Sequence, residues 1–209
     1  MKCLGLFGAS GHGKVVADAA LAAGWRDILF FDHAWPSMAE NGSWNVVGDL
    51  DALVRRQHAI DAALVSIGNC AVRWRIQEVL VAAGIPLATV VHPRACVSPY
   101  AKLGQGTVVM AGAVVNIDAD IGDACIINTG AVIDHDCKVA QAVHVSPGAS
   151  LSGNVTVGPG TWIGVGAAVR QGIRIGSGTV VGAGAVVVKD VGDSLTVVGC
   201  PAGPRDAAN

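Results

Sequence analysis

The sequence has little charge. Asp, Glu, Lys and Arg make up 14% of its 209 residues and leave a formal net charge of −2, so there is no basic field for nucleic acid or an anionic membrane surface. It has no apolar run approaching the roughly 20 residues of a membrane-spanning helix. Met1-Lys2 leads directly into a strand-like run, without the layout of a secretory leader. Its six cysteines include no CxxC pair and no disulfide-module spacing, a pattern that predicts reduced thiols and a cytoplasmic chain. The GxGxxG dinucleotide fingerprint is missing, because Val16 stands where the third glycine belongs. The P-loop hydroxyl is missing too, because Val15 stands where Ser or Thr would hold magnesium. Nicotinamide-dinucleotide binding and nucleoside-triphosphate hydrolysis are therefore disfavoured. With charge this sparse and a mean hydropathy of +0.51, much apolar surface must be hidden, and burial between subunits is the expected place.

What the sequence has instead is a column. From Val91 to Val187 every sixth residue is Val, Ile or Leu, without a break. Four places after each stands a small or β-branched residue, from Ala95 and Ala101 to Ala185 and Val191, with Cys125 and Cys137 among them. Glycine often follows the aliphatic position directly, as in Ile121-Gly122 and Ile163-Gly164. A period of six fits neither a helix nor an alternating strand. It fits a chain that turns a corner every six residues and points one aliphatic side chain inward each time. Three such segments close one triangular coil, and stacked coils share a dry core. The β-branched residues suit short strands, and the glycines suit corners that need positive φ or close approach. The repeat predicts a left-handed parallel β-helix of hexapeptide type over residues 89–209, with Cys125 and Cys137 as reduced core residues.

Residues 1–88 follow another pattern. Cys3 to Phe7 reads as a buried strand ending in the turn Gly8-Ala9-Ser10-Gly11-His12-Gly13-Lys14. Val15, Val16, Ala19, Ala20 and Leu21 then recur at helical spacing until Gly24. A second strand over 28–31 ends at Asp32-His33. A loop over 34–48, a short helix over 49–57, a third strand over 62–67 ending at Gly68-Asn69, and a helix over 70–83 complete the segment. Strand–helix alternation predicts an α/β, Rossmann-like domain with a small parallel sheet. Ligands of such sheets sit beyond the carboxyl ends of the strands, where the glycine turn, Asp32-His33 and Gly68-Asn69 all fall. A glycine-rich turn opening a helix offers free N–H groups to phosphate. His12 within it reads as an exposed imidazole suited to a phosphate or a sugar hydroxyl.

The repeat region carries little polar chemistry, and its exceptions cluster. Asn128 and Thr129 precede Asp134-His135-Asp136, and His144 lies nine residues beyond His135. Nine residues is half a coil, so the two histidines of one chain are expected on different sides. If three solenoids pack side by side, His135 of one chain faces His144 of a neighbour. Imidazole titrates near neutrality and is the usual general base, strengthened by a carboxylate on one ring nitrogen. Asp134 and Asp136 both flank His135. Strand alternation points neighbours away from the ring, so Asp136 reaches it only if the chain turns a corner there, and the choice between the two stays open. A zinc site shared across an interface needs a third histidine on this surface. Only His92 remains in the repeat, more than two coils away, so no metal is expected. The coils from Val157 to Val187 are almost purely Gly, Ala, Val and Thr, a smooth wall whose backbone amides suit an extended amide-bearing chain.

Through these segments the chain resembles the bacterial NeuD/PglD-type sugar acyltransferases over essentially its full length. The resemblance rests on the Gly8–Lys14 turn, Asp32-His33, Ile67-Gly68-Asn69, Asn128-Thr129 with Ile133-Asp134-His135-Asp136, His144-Val145-Ser146-Pro147-Gly148-Ala149, Gly153-Asn154-Val155 and the closing Val198-Gly199-Cys200-Pro201-Ala202. It implies a homotrimer with active sites between solenoids, acetyl-CoA as donor, and an amine or hydroxyl of a nucleotide-linked sugar as acceptor. It implies His135 as general base with Asp136 raising its basicity, where better-known N-acetylating relatives carry Glu. His144 is then expected near the thioester of acetyl-CoA and the Gly153 N–H near the acetyl oxygen. Val165 and Ala183 are expected to meet CoA through coil backbone, Ala183 replacing a glycine. Ser10, Gly11, His12, Asp32, His33 and Gly68 match the nucleotide-sugar site, and Asn128 is counted with them. The second strand end in relatives is often Asp-Asp, so His33 bears on base or sugar preference. The expected activity is acetyl-CoA-dependent N-acetylation of a UDP-linked 4-amino-4,6-dideoxy sugar. O-acetylation of a sialic-acid-type hydroxyl would use the same base, and a non-catalytic binding solenoid is the remaining reading.

Overall fold

The computed structural model describes residues 2–205. Strand β1 (Cys3–Phe7) is followed by α1 (Gly11–Ala22) and β2 (Asp27–Phe31). Next come a hairpin of β3 (Glu40–Asn41) and β4 (Trp44–Asn45), then α2 (Leu50–Arg55), β5 (Ala62–Val65) and α3 (Cys70–Ala82). β1 pairs in parallel with both β2 and β5, giving the order β2-β1-β5. The carboxyl ends at Phe7, Phe31 and Val65 therefore lie side by side. Helices α2 and α3 each begin at a side-chain cap, Asp49 accepting from the Ala52 N–H and Asn69 from the Val72 N–H. The segment 34–48, expected as loop, holds the β3–β4 hairpin and a bridge between Phe30 and Val46. Two-residue strands leave no periodicity to read.

From Val90 to Val187 the chain winds through two-residue strands stacked in three parallel sheets. The first face runs from Val90–Val91 through Ile126–Ile127, His144–Val145 and Trp162–Ile163. The second face holds Val132–Ile133 and Ser150–Leu151, and the third holds Asp120–Ile121 and Lys138–Val139. Strands pair eighteen residues apart, as Val114 with Val132 and Val132 with Ser150, until the last coil, where Val180 and Val181 meet Thr196 and Val197 sixteen residues on and Thr196–Val198 pairs antiparallel with Gly203–Pro204. The aliphatic column points inward. From Val109 to Val187 its members are at most 2% exposed, while Val91, Val97 and Leu103 of the opening coil are only partly buried. Polar atoms in the small slot donate to a carbonyl fifteen residues on. Thr107 Oγ1 reaches the Gly122 carbonyl at 2.8 Å and Cys125 Sγ the Ala140 carbonyl at 3.1 Å. Burial pushes the Cys125 thiol up to about 12, which fits an inert core residue.

The corners use glycine in two ways. Gly122, directly after a column residue, allows close approach, since a Cβ there would lie 2.8 Å from the Gln141 nitrogen of the next coil. Gly130, three places after Ile127, has φ +65°, a left-handed conformation that other residues adopt at a cost. Asp118, Ala124, Asp136, Ala142, Asn154 and Ser194 take the same left-handed corner position.

The α/β part docks on the first face. Val108, Met110 and Ile126, which point out from the solenoid, are buried in one cluster with Leu4, Leu6, Val16 and Phe30. Each such side chain removed from water stabilises by roughly 1.5–3 kcal/mol. Part of the apolar excess expected between subunits is thus hidden within the protomer. No helix among the described residues is long and apolar enough to cross a membrane.

Candidate active site

His135 occupies the corner between the second and third faces. Asp134 and Asp136 divide the work there. Asp134 Oδ1 accepts from the His135 N–H at 2.8 Å and from Asn116 Nδ2 at 2.8 Å, which fixes the backbone. Asp136 has φ +60°, and that turn brings its Oδ2 back to 2.7 Å from His135 Nδ1. The question left open by the sequence thus resolves to Asp136 as the ring's partner. The hydrogen bond that Asp136 accepts from the ring, followed by the charge of Asp134, raises the imidazole above its ordinary range. With Nδ1 engaged by a carboxylate, the proton of the neutral ring sits on Nδ1 and Nε2 carries the free lone pair. Both side chains are more than half exposed. Gly153, one coil on, faces the free edge of the ring. A Cβ there would fall 2.5 Å from both Cε1 and Nε2, so only glycine leaves the ring this position. Among the described residues the Gly153 N–H has no acceptor.

A second group forms where the α/β part meets the first face. Asn128 Oδ1 accepts from the Thr129 N–H at 2.8 Å, which orients the amide, and Asn128 Nδ2 lies 3.1 Å from His144 Nε2. His144 Nε2 is therefore the acceptor. Its ring stacks on Trp162 at 5.8 Å and 4°, and Trp162 Nε1 donates to Ser146 Oγ at 2.6 Å. The His12 ring stands 6.2 Å from His144 on the other side. Expected to be exposed, His12 is instead partly buried, because α1 lies against the solenoid. Among the described residues its Nε2 and the Nδ1 of His144 have no partner within hydrogen-bond geometry, and the backbone of Gly68 is the polar group beside the His144 ring. Burial, then the nearby Arg73 charge, pushes both rings down to about 4, with His12 adding to the effect on His144. A cleft of about 520 Å³ opens here between Gly68–Ala71 and the first face, where His144, Gly160, Trp162, Gly178 and Val180 line it.

The remaining candidates are spread over both groups. Ser10 and Gly11 are exposed at the start of α1, and Ser10 makes no side-chain cap. Asp32 is committed internally, its Oδ2 accepting from the Ala9 N–H at 2.7 Å and its Oδ1 from the Ala34 N–H at 2.9 Å. It therefore shapes the glycine turn. His33 is exposed, with its ring edge on Phe7 at 5.0 Å. Val165 and Ala183 form an exposed ridge at the corner between the first and second faces, where the Gly184 N–H donates to the Val165 carbonyl at 2.8 Å. The protomer thus brings His12, Gly68, Asn128 and His144 together, and holds His135, Asp136 and Gly153 at a different edge. Sequence reasoning passed over Trp162, whose outward strand position matches many featureless valines. It also passed over Arg73, which reads as a solvated helix charge and is fully buried.

Comparison with known proteins bears on this arrangement. The family model described as the PglD N-terminal domain matches residues 3–80. No curated protein matches the chain. Among solved structures, the acetyltransferase domain of PglB from Neisseria gonorrhoeae FA1090, in complex with acetyl coenzyme A, is 43% identical with a TM-score of 0.94, covering 98% of this chain and 99% of that one. PerB from Caulobacter crescentus, in complex with CoA and GDP-perosamine, is 40% identical with a TM-score of 0.92, covering 98% of each chain. WeeI from Acinetobacter baumannii AYE is 26% identical with a TM-score of 0.89, covering 98% of this chain and all of that one. Identity of this order across nearly the whole of both chains, on a shared sheet and solenoid, shows that the chain belongs to the NeuD/PglD-type hexapeptide-repeat sugar acetyltransferases.

Proposed function

We propose that this protein transfers the acetyl group of acetyl-CoA to the amine of a nucleotide-linked 4-amino-4,6-dideoxy sugar, with UDP as the nucleotide and His135 as general base. The observation that carries the reading is the 2.7 Å pair between His135 Nδ1 and Asp136 Oδ2, with the opposite ring edge turned to Gly153. His135 Nε2 accepts the proton that the acceptor nitrogen loses as it attacks the thioester carbon. The Gly153 N–H stabilises the charge that develops on the carbonyl oxygen. The C–S bond then breaks, and the thiolate leaves as CoA, taking up a proton. His144 holds the thioester end, Val165 and Ala183 guide the pantetheine chain, and Ser10, Gly11, His12, His33, Gly68 and Asn128 receive the acceptor. Asp32 acts there by holding the glycine turn.

His135 and His144 lie at different edges of one protomer, so a complete site needs His135 of one chain beside His144 of another, as in a trimer of solenoids. The complex of PerB with GDP-perosamine makes GDP the rival to UDP. The test is a thiol-release assay with UDP-, GDP- and dTDP-linked amino sugars beside the matching hydroxyl sugars. Turnover confined to the amino sugars is expected. Turnover confined to the hydroxyl sugars would make the enzyme an O-acetyltransferase, and release with none of them would remove the reading.

A further inference from the structure

The guanidinium of Arg73 is 0% exposed and has no carboxylate partner among the described residues. It lies in the first turn of α3 and, among the described residues, donates only to backbone carbonyls, on two sides. Nη1 reaches the Ile67 carbonyl at 2.8 Å and the Gly68 carbonyl at 2.9 Å, at the end of the β5 segment. Nε reaches the Ala124 carbonyl at 2.6 Å, and Nη2 the Ala142 carbonyl at 2.8 Å and the Val143 carbonyl at 3.4 Å, on two successive coils. Val143 is followed directly by His144. A buried, unpaired cation is costly, and a hydrophobic side chain would pack the same junction without that cost. The planar fork does what no apolar residue does: it fixes two separate backbones relative to each other through directional bonds.

We infer that Arg73 is a positioning residue for the proposed transfer, setting the distance between the Gly68 strand end that receives the acceptor and the coil that carries His144. The inference rests on the reaction proposed above. Each substrate retains its own wall when Arg73 is altered, the acceptor on the α/β loops and acetyl-CoA on the coils. Their mutual approach is what changes, and misplacement by about an ångström costs up to about 100-fold in rate.

The experiment compares wild type with Arg73→Lys, which keeps the charge and loses the fork, in the thiol-release assay at a temperature where circular dichroism shows both folded. The expected result is a kcat about 10- to 100-fold lower with both KM values within about threefold of wild type. A lowered melting temperature with unchanged kcat would mark Arg73 as structural only and overturn the inference. A rise in one KM with kcat unchanged would overturn it as well. Should Arg73→Lys not fold, Arg73→Gln is read in the same way, and failure of both to fold also counts against it. Wild type that releases no thiol with any amino sugar would remove the underlying reaction. Wild type that turns over beside an unaffected variant removes only this inference.

Discussion

His135 Nδ1 lies 2.7 Å from Asp136 Oδ2 because Asp136 takes the left-handed corner position, φ +60°, that glycine fills at other corners of the solenoid. Asn tolerates that conformation, so Asp136→Asn keeps the corner and removes the charge. Its kcat is expected to fall about 10- to 100-fold. Asp136 raises the His135 pKa, so the acid limb of the kcat profile stands above the ordinary histidine range in wild type. In the variant it moves to lower pH. A pH–rate profile for both proteins checks this.

Gly153→Ala places a methyl group 2.5 Å from His135 Cε1 and Nε2. The half-exposed ring has room to swing outward, so the fold is expected to survive and the reacting edge to be displaced. A loss of roughly 10²-fold or more in kcat is predicted, with the melting temperature within a few degrees of wild type. Thiol release and thermal melting measured on the same sample decide it.

His144 is buried and His12 partly buried, and both are neutral in the folded chain at pH 7, with pKa values pushed down to about 4. In the unfolded chain both bind protons near pH 6.5. The stability they contribute is complete above about pH 6.5 and is lost as pH falls toward 4. At pH 5.5 the loss is roughly 1 kcal/mol for each ring. Denaturant midpoints at pH 7.5 and 5.5 should differ accordingly, and His12→Phe should roughly halve the difference.

Leu151 belongs to the inward column and is fully buried. Leu151→Ala leaves a cavity between coils that their stacked backbones hinder from collapsing, and should cost about 2–5 kcal/mol. Chemical denaturation of the two proteins measures it.

The solenoid was legible because one physical demand, an aliphatic side chain inward at every sixth residue, repeats from Val91 to Val187 and outweighs local variation. The parallel sheet was legible from three apolar runs that end in Gly8, Asp32 and Gly68. The β3–β4 hairpin was not, since Glu40-Asn41 and Trp44-Asn45 are too short to show a period. The corner at Asp136 was foreseen only as a condition, because sequence does not give φ for an aspartate. Burial of His12 and Arg73 depends on how α1 and α3 lie against the first face, a tertiary fact that no local pattern around either residue carries. The internal role of Asp32 was hidden for a similar reason. A carboxylate at a strand end looks the same whether it meets a ligand or, as here, the N–H groups of Ala9 and Ala34.

The central claim is that acetyl transfer needs His135 of one protomer and His144 of another. Subunit complementation tests it most directly. His135→Ala chains, expected to keep less than about 1% of wild-type turnover, and His144→Ala chains, expected to lose most of theirs through misplacement of the thioester, are co-expressed in equal amounts and purified as mixed oligomers through two different tags. In a trimer every mixed oligomer has one interface in three with both histidines intact, so thiol release should recover to about a third of wild type. Mixed oligomers no more active than either parent would contradict the account.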